Sequence, residues 1–193
     1  MMGTLRKLCP GEIAAVYPRI RRDFPPIERP PLRSMKRYLA KGSLEGCIYE
    51  AEGADAGYAF FLTAPGQGSQ MLFLYAVEPQ LRGRGVGGAF LEAAAAERAG
   101  CAGLYAEVEI PELARTPADR LHREKRVAFY EKHGFCRIMG LDYAIYGLKM
   151  HIFYRPLARV GLPDASTAAL ELRALYNGIF YRWESRMLRM RAK

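Results

Sequence analysis

The sequence predicts a mixed α/β domain. Half of its 193 residues are apolar, three β-like apolar runs follow one another between residues 46 and 78, and helical spacing begins right after a glycine-rich turn. A chain of this size can bury one ordinary core, so residues 1–193 are expected to form a single domain. No uninterrupted apolar run reaches the roughly 18 residues of a membrane span. The opening MMGTLRKLCPGE lacks the apolar stretch of a secretion signal. Cys9, Cys47, Cys101 and Cys136 are scattered without a C-x-x-C pair, which argues against a zinc cluster and offers no disulfide framework. The expectation is a cytoplasmic protein with reduced thiols, no metal and no membrane partner.

Taken in order, GEIAAVYPRIRR has helical spacing at Ile13, Val16 and Tyr17, broken or kinked at Pro18. The four prolines of DFPPIERPP, residues 23–31, forbid a continuous helix, and PLRSMKRYLAKG then fits a helix closed by Gly42. Two strands follow in GCIYEAEGADAGYAFFLTAPGQG, separated by a hairpin turn at Gly53 to Asp55, and QMLFLYAVEP is a third. VGGAFLEAAAAERAG is helical and GLYAEVEI is a strand. Residues 119–133 form a helix with Leu121, Val127, Phe129 and Tyr130 on its apolar face; FCRIMG and GLKMHIFYRPL supply two more strands. The tail from Pro163 reads as one helix, with Leu172, Leu175, Tyr176, Ile179, Phe180, Trp183, Met187 and Met190 recurring every three to four residues. Such a stripe packs on its own domain or on a twin subunit in a homodimer more readily than on a membrane surface.

The formal charge of +9 resides in two segments, residues 19–37 and 182–193. Neither interleaves basic and aromatic residues on a sheet nor forms a helix-turn-helix, so nucleic acid is not the expected partner. The charge suits a solvated surface and an entrance attractive to an anionic ligand.

The turn itself reads QLRGRGVGGAF, residues 80–90. Gly83, Gly85 and Gly88 match G-x-G-x-x-G, and Glu107 lies 19 residues further on, as a dinucleotide fingerprint requires. Against that reading, Glu78 to Arg82 separate the strand from the first glycine. A P-loop is excluded because no Lys-Ser or Lys-Thr follows. Glycines without Cβ atoms let successive backbone N–H groups turn toward one anion, and the following helix adds its positive end. A tight connection without a ligand is the remaining alternative.

The stretch Arg82-x-x-Gly85-x-Gly87, preceded by an apolar strand ending at Val77, resembles the pyrophosphate loop of GNAT-type N-acetyltransferases. Some 40 residues on, Arg126-Val-Ala-Phe-Tyr130-Glu-Lys-His-Gly134-Phe135 resembles that family's second signature, which flanks the thiol end of acetyl-CoA. The resemblance implies a mostly antiparallel sheet of about six to seven strands flanked by helices, to which the helical spacing of residues 163–193 adds a C-terminal helix. Its two central strands, here 70–77 and 103–110, would diverge to admit the pantetheine arm.

The resemblance also implies acetyl-CoA as donor, held by Tyr75, Ala76, Val77, Arg82, Gly83, Arg84, Gly85, Val86, Gly87, Gly88 and Tyr130. The acceptor would be the primary amine of a small molecule or peptide, attacking directly in a ternary complex. Tyr130 is the family-equivalent group for the leaving sulfur: a phenol with a pKa of about 10 can donate to a thiolate whose acid has about 8.5. Glu107 and Glu109, two apart on a strand, share one face and could take the amine's proton, bind a cationic acceptor or lie on a solvated face. Glu50 and Glu52 form a weaker same-face pair, and Glu78 is expected to face solvent. His122 and His133 read as helix-surface residues and His151 as half-buried, none of them in a metal-binding spacing. A non-catalytic acyl-CoA-binding regulatory module is the alternative function.

Overall fold

The structure, a computed structural model, describes residues 3–159, 161–180 and 187–192. A strand that the sequence pattern does not announce, β1 (Thr4–Lys7), precedes helix α1 (Ile13–Asp23). Pro18 does not break α1: it removes one backbone bond, while Ile13, Val16 and Ile20 bury one continuous face. The proline segment leads to α2 (Leu32–Lys41), which Gly42 ends in the left-handed conformation. Strands β2 (Leu44–Ala51), β3 (Ala54–Leu62) and β4 (Ser69–Val77) form the antiparallel meander expected, although the first turn lies at Glu52 and Gly53, both at positive φ, rather than at Gly53 to Asp55.

Next come α3 (Val86–Ala96), β5 (Gly103–Glu109), α4 (Pro117–Lys132) and the short β6 (Cys136–Arg137). A hairpin follows, of β7 (Leu141–Ile145) and β8 (Leu148–Pro156). Strand β7 goes unread in the sequence because only Tyr143 and Ile145 mark its buried face. The C-terminal reading needs correction: helix α5 covers only Ala165–Asn177, and Leu188–Ala192 is a strand, β9, paired antiparallel with β7. Trp183, counted in the helical stripe, lies outside the described residues. Leu121, assigned to the apolar face of α4, is 52% exposed, since only Tyr130 of that helix is fully buried.

Among the described residues the nine strands form one sheet in the order β1-β2-β3-β4-β5-β8-β7-β9, with β6 on β8. Only β4 and β5 run parallel. One face carries α1, α2 and α5 over Ile20, Met35, Phe60, Leu74, Tyr105 and Leu172; the other carries α3 and α4 over Phe61, Leu72, Phe90, Leu104 and Phe135. Each large side chain so buried contributes about 1.5–3 kcal/mol.

Strands β4 and β5 pair from Ser69↔Gly103 to Leu72↔Ala106 and no further. The register of β4 with β3 jumps at the same level, Phe60 facing Leu74 and Phe61 facing Leu72, so Phe73 is an extra residue: a β-bulge. The bulge puts Phe73 and Leu74 side by side on the α1, α2 and α5 face, and it turns the rest of β4 away from β5. From Phe73 onward one edge of β4 therefore has no strand partner among the described residues and borders an open gap. The divergence expected of the two central strands is present, and its local cause is this inserted residue.

Candidate active site

The glycine turn sits where β4 leaves the sheet. Gly83 and Gly85 have φ of 74° and 81°, a region costly for residues with a Cβ, and Gly85 is the N-cap of α3. The first helical bond is Ala89 N–H to the Gly85 carbonyl at 3.1 Å. The N–H groups of Gly83 to Gly88 precede it, and among the described residues none donates to a backbone carbonyl. A row of free donors at the positive end of an 11-residue helix fits a diphosphate.

Not every side chain of the turn contributes. Val86 is buried in the core and offers only its backbone, and Arg84 is exposed and does not border the cavity described below. Arg82, expected to add charge for the ligand, instead donates to the Val77 carbonyl and to Asp23 Oδ1, both at 2.9 Å. Asp23, at the end of α1, also accepts from Arg22 and from the Tyr58 hydroxyl. Burial raises its pKa, but Arg22, Tyr58 and Arg82 outweigh that and hold it below the usual aspartate value. Glu78, expected in solvent, bridges Arg19 at 2.6 Å and Arg22 at 2.9 Å. Part of the basic segment 19–37 thus anchors the turn to α1. Of the pair Glu50 and Glu52, the first binds Arg6 and the second lies in the hairpin turn, so they form no site.

Helix α4 closes the same side. It starts cleanly, because Thr116 Oγ1 caps the Asp119 N–H at 3.1 Å and Pro117 occupies the first position. At its far end Tyr130 packs edge-on against Phe129 and Phe135. Desolvation pushes the Tyr130 phenol up to about 12, so it stays protonated at neutral pH. Tyr75 lies against Phe90 and Phe129 and donates to the Gly87 carbonyl at 2.5 Å, joining β4 to the first turn of α3. His133, half-buried, bonds Glu92 at 2.9 Å, and Arg155 grips the same carboxylate with both nitrogens. Gly88 makes room for this arrangement: a Cβ there would stand 2.7 Å from the His133 ring.

The carboxylates belong to the opposite face. Glu107 and Glu109 alternate with the buried Val108 and share the side of Tyr105, under α5 and β7. Glu107 Oε1 accepts from both the Tyr143 and the Tyr176 hydroxyls, the latter at 2.5 Å. Desolvation raises the Glu107 pKa, and the two phenols, which favour the anion, only partly offset it. Glu109 pairs with Arg126 of α4. Two carboxylates that looked equivalent in the sequence are thus distinct: one accepts from two phenols and has no cation partner among the described residues, the other is paired with Arg126.

One cavity of about 1390 Å³ connects these groups through the gap between β4 and β5. Tyr75, Val77, Arg82, Gly83, Gly85, Gly87, Gly88 and Tyr130 border it from the α3 and α4 side; Ala76, Glu107 and Glu109 border it from the other. Sequence reasoning missed Tyr143 and Tyr176, for which no local signal exists, and also Glu28, which lies in the proline segment flagged only for its arginines. His122 is exposed at the rim, and burial lowers the pKa of His151, half-buried on β8. Among the described residues no group of three or more His, Cys, Asp or Glu side chains could hold a metal ion, and no helix is long and apolar enough to cross a membrane.

Residues 43–137 match the family described as acetyltransferase (GNAT) domain. Solved structures share the fold. A protein of Bacteroides thetaiotaomicron assigned to the GNAT family superposes with a TM-score of 0.69 at 18% identity, over 87% of this chain and 92% of that one. The ribosomal-protein-S18-alanine N-acetyltransferase of Escherichia coli gives 0.58 at 23%, over 83% and 97%. Spermidine N-acetyltransferase of Vibrio cholerae gives 0.61 at 14%, over 81% and 94%. No curated protein matches the sequence at a significant level. Residues 43–137 therefore form a GNAT acetyltransferase domain.

Proposed function

We propose that this enzyme transfers the acetyl group of acetyl-CoA to a primary amine by direct attack within a ternary complex. The observation that carries the reading is one continuous cavity through the sheet: it joins a turn of free backbone donors on one face to a carboxylate without an ion pair among the described residues on the other, past Tyr130. Gly83 to Gly88 would hold the diphosphate, and the unpaired edge of β4 from Phe73 to Val77 would flank the pantetheine arm and offer an N–H to the thioester oxygen. Bound acetyl-CoA supplies the activated acyl group.

Glu107 takes a proton from the bound ammonium and so frees the neutral amine to attack, its raised pKa bringing it closer to that of a base working near neutrality; the second proton that nitrogen loses as the amide forms passes to solvent. Tyr143 and Tyr176 fix the carboxylate by one oxygen. Tyr130, whose hydroxyl has no hydrogen-bond partner among the described residues, donates its phenolic proton to the departing sulfur and regains one from solvent. Glu109 is bound to Arg126 and shapes the charge of the site without being the first proton acceptor. The S18-alanine and spermidine enzymes act on amines, which supports an amine acceptor here. A CoA-release assay against an amine panel tests the reading. Stabilisation by acetyl-CoA without turnover of any amine would instead favour a binding module.

A further inference from the structure

We infer that the acceptor is a primary amine bearing one positive charge on an apolar or aromatic body, seated on the α1, α2 and α5 face of the sheet; the inference rests on the acetyl-transfer reading above. Beyond the gap, the cavity wall changes character. Ile27 from the proline segment, Phe73 from the bulge, Ile145, Tyr146 and Leu148 from the β7–β8 hairpin, and Phe180 after α5 border it there. Ile27 is 51% and Leu148 41% exposed, so large apolar side chains are left uncovered around one concave space, as a partner with an apolar surface requires.

Charge narrows the class further. Three carboxylates border this part: Glu28, Glu107 and Glu109. Arg126 neutralises Glu109, whereas among the described residues neither Glu28 nor Glu107 has an ion pair. Partial desolvation and the nearby Glu109 push the Glu28 pKa up, with Arg126 offsetting only part of this, so this region disfavours another anion and favours a cation. Arg29 and Arg33 also border the cavity: Arg29 is turned to the Phe24 carbonyl and the Tyr17 hydroxyl, and Arg33, like Glu28, is exposed, where solvent screens part of its charge. A polyamine could set one further ammonium beside Glu28 but would leave any additional charge against the apolar wall without a partner, and an acidic amine would meet Glu28 and Glu107. A single ammonium on an apolar body meets neither cost.

The test measures binding by calorimetry to protein saturated with CoA, and in parallel CoA release from acetyl-CoA. The probes are 2-phenylethylamine, the tripeptide Phe-Gly-Gly, spermidine and L-glutamate. We expect 2-phenylethylamine or the tripeptide to bind at least tenfold more tightly than spermidine or glutamate. Whichever of the two is preferred assigns the source as a small amine or a peptide terminus. Glu28→Gln and Ile27→Asp, both exposed loop substitutions, are expected to weaken that ligand severalfold and leave CoA affinity unchanged. Equal binding of all four, binding of none, or preference for spermidine or glutamate overturns the inference. Selective binding without CoA release would remove the acetyl-transfer reading and leave the acceptor chemistry standing; turnover of glutamate alone would do the reverse.

Discussion

The Tyr176 hydroxyl donates to Glu107 Oε1 at 2.5 Å, and it comes from α5, outside the residues 43–137 that match the family domain. The C-terminal helix is therefore part of the site's chemistry as well as of its packing. Because this bond favours the carboxylate anion, Tyr176→Phe is expected to raise the Glu107 pKa and move the acid limb of the kcat/KM profile upward. The rate at neutral pH should fall about tenfold, consistent with impaired general-base catalysis. Coenzyme affinity should not change. An unmoved pH profile would assign Tyr176 to packing alone.

Glu107→Gln removes the proposed base and should lower kcat by about 100-fold or more. Its effect on stability has the opposite sign. The folded-state pKa of Glu107 is raised, so the native state holds the proton more tightly than the unfolded chain, and stability is lost as pH rises through the folded value. The neutral glutamine escapes that loss. The variant should therefore melt at a higher temperature than the parent at pH 8, with the difference shrinking as the pH falls toward 4.

Tyr130→Phe deletes a hydroxyl without a hydrogen-bond partner among the described residues, so the fold and CoA binding should be nearly unaffected while kcat drops. Thermal melting, calorimetry with CoA and steady-state kinetics separate the three quantities. Full activity in this variant would move the sulfur's proton donor elsewhere.

Gly88→Ala places a methyl group 2.7 Å from the His133 imidazole. The ring must leave Glu92 or α3 must shift, at a cost of about 1–3 kcal/mol for overpacking. Since α3 carries the free donors of the turn, CoA affinity should weaken together with stability. Calorimetry and denaturant unfolding of the same preparation would show whether the two losses are coupled.

Asp23→Asn weakens the hold of α1 on Arg82. Asp23 is ionised below its ordinary pKa in the folded protein, so its contribution to stability is present above the unfolded pKa and is lost as pH falls through the folded one. The parent should lose stability on acidification through that window, and the variant should be flatter there. The KM for acetyl-CoA should rise severalfold, because Arg82 no longer fixes the turn.

Much of the fold was legible because it depends on local periodicity. The three-strand meander, the helices after Gly85 and Thr116 and the strand GLYAEVEI all have unbroken spacing and punctuated ends. The errors fell where long-range pairing overrides local preference. Residues 188–192 have helical spacing yet lie as a strand, because β7 offers an unpaired edge. Pro18, read as a break or a kink, is carried within a helix that buries one face.

The sequence by itself determined the glycine turn, its place between a strand and a helix, and the presence of Tyr130, Glu107 and Glu109, since these are properties of residue type and spacing. Only the tertiary structure decided that the carboxylates lie across the sheet from Tyr130, that Arg126 cancels one of them, and that Tyr143 and Tyr176 hold the other. Hydrogen bonds between residues 36 and 69 positions apart leave no trace in local pattern. They exist because β8 brings β7 alongside β5 and the C-terminal helix packs across the same face.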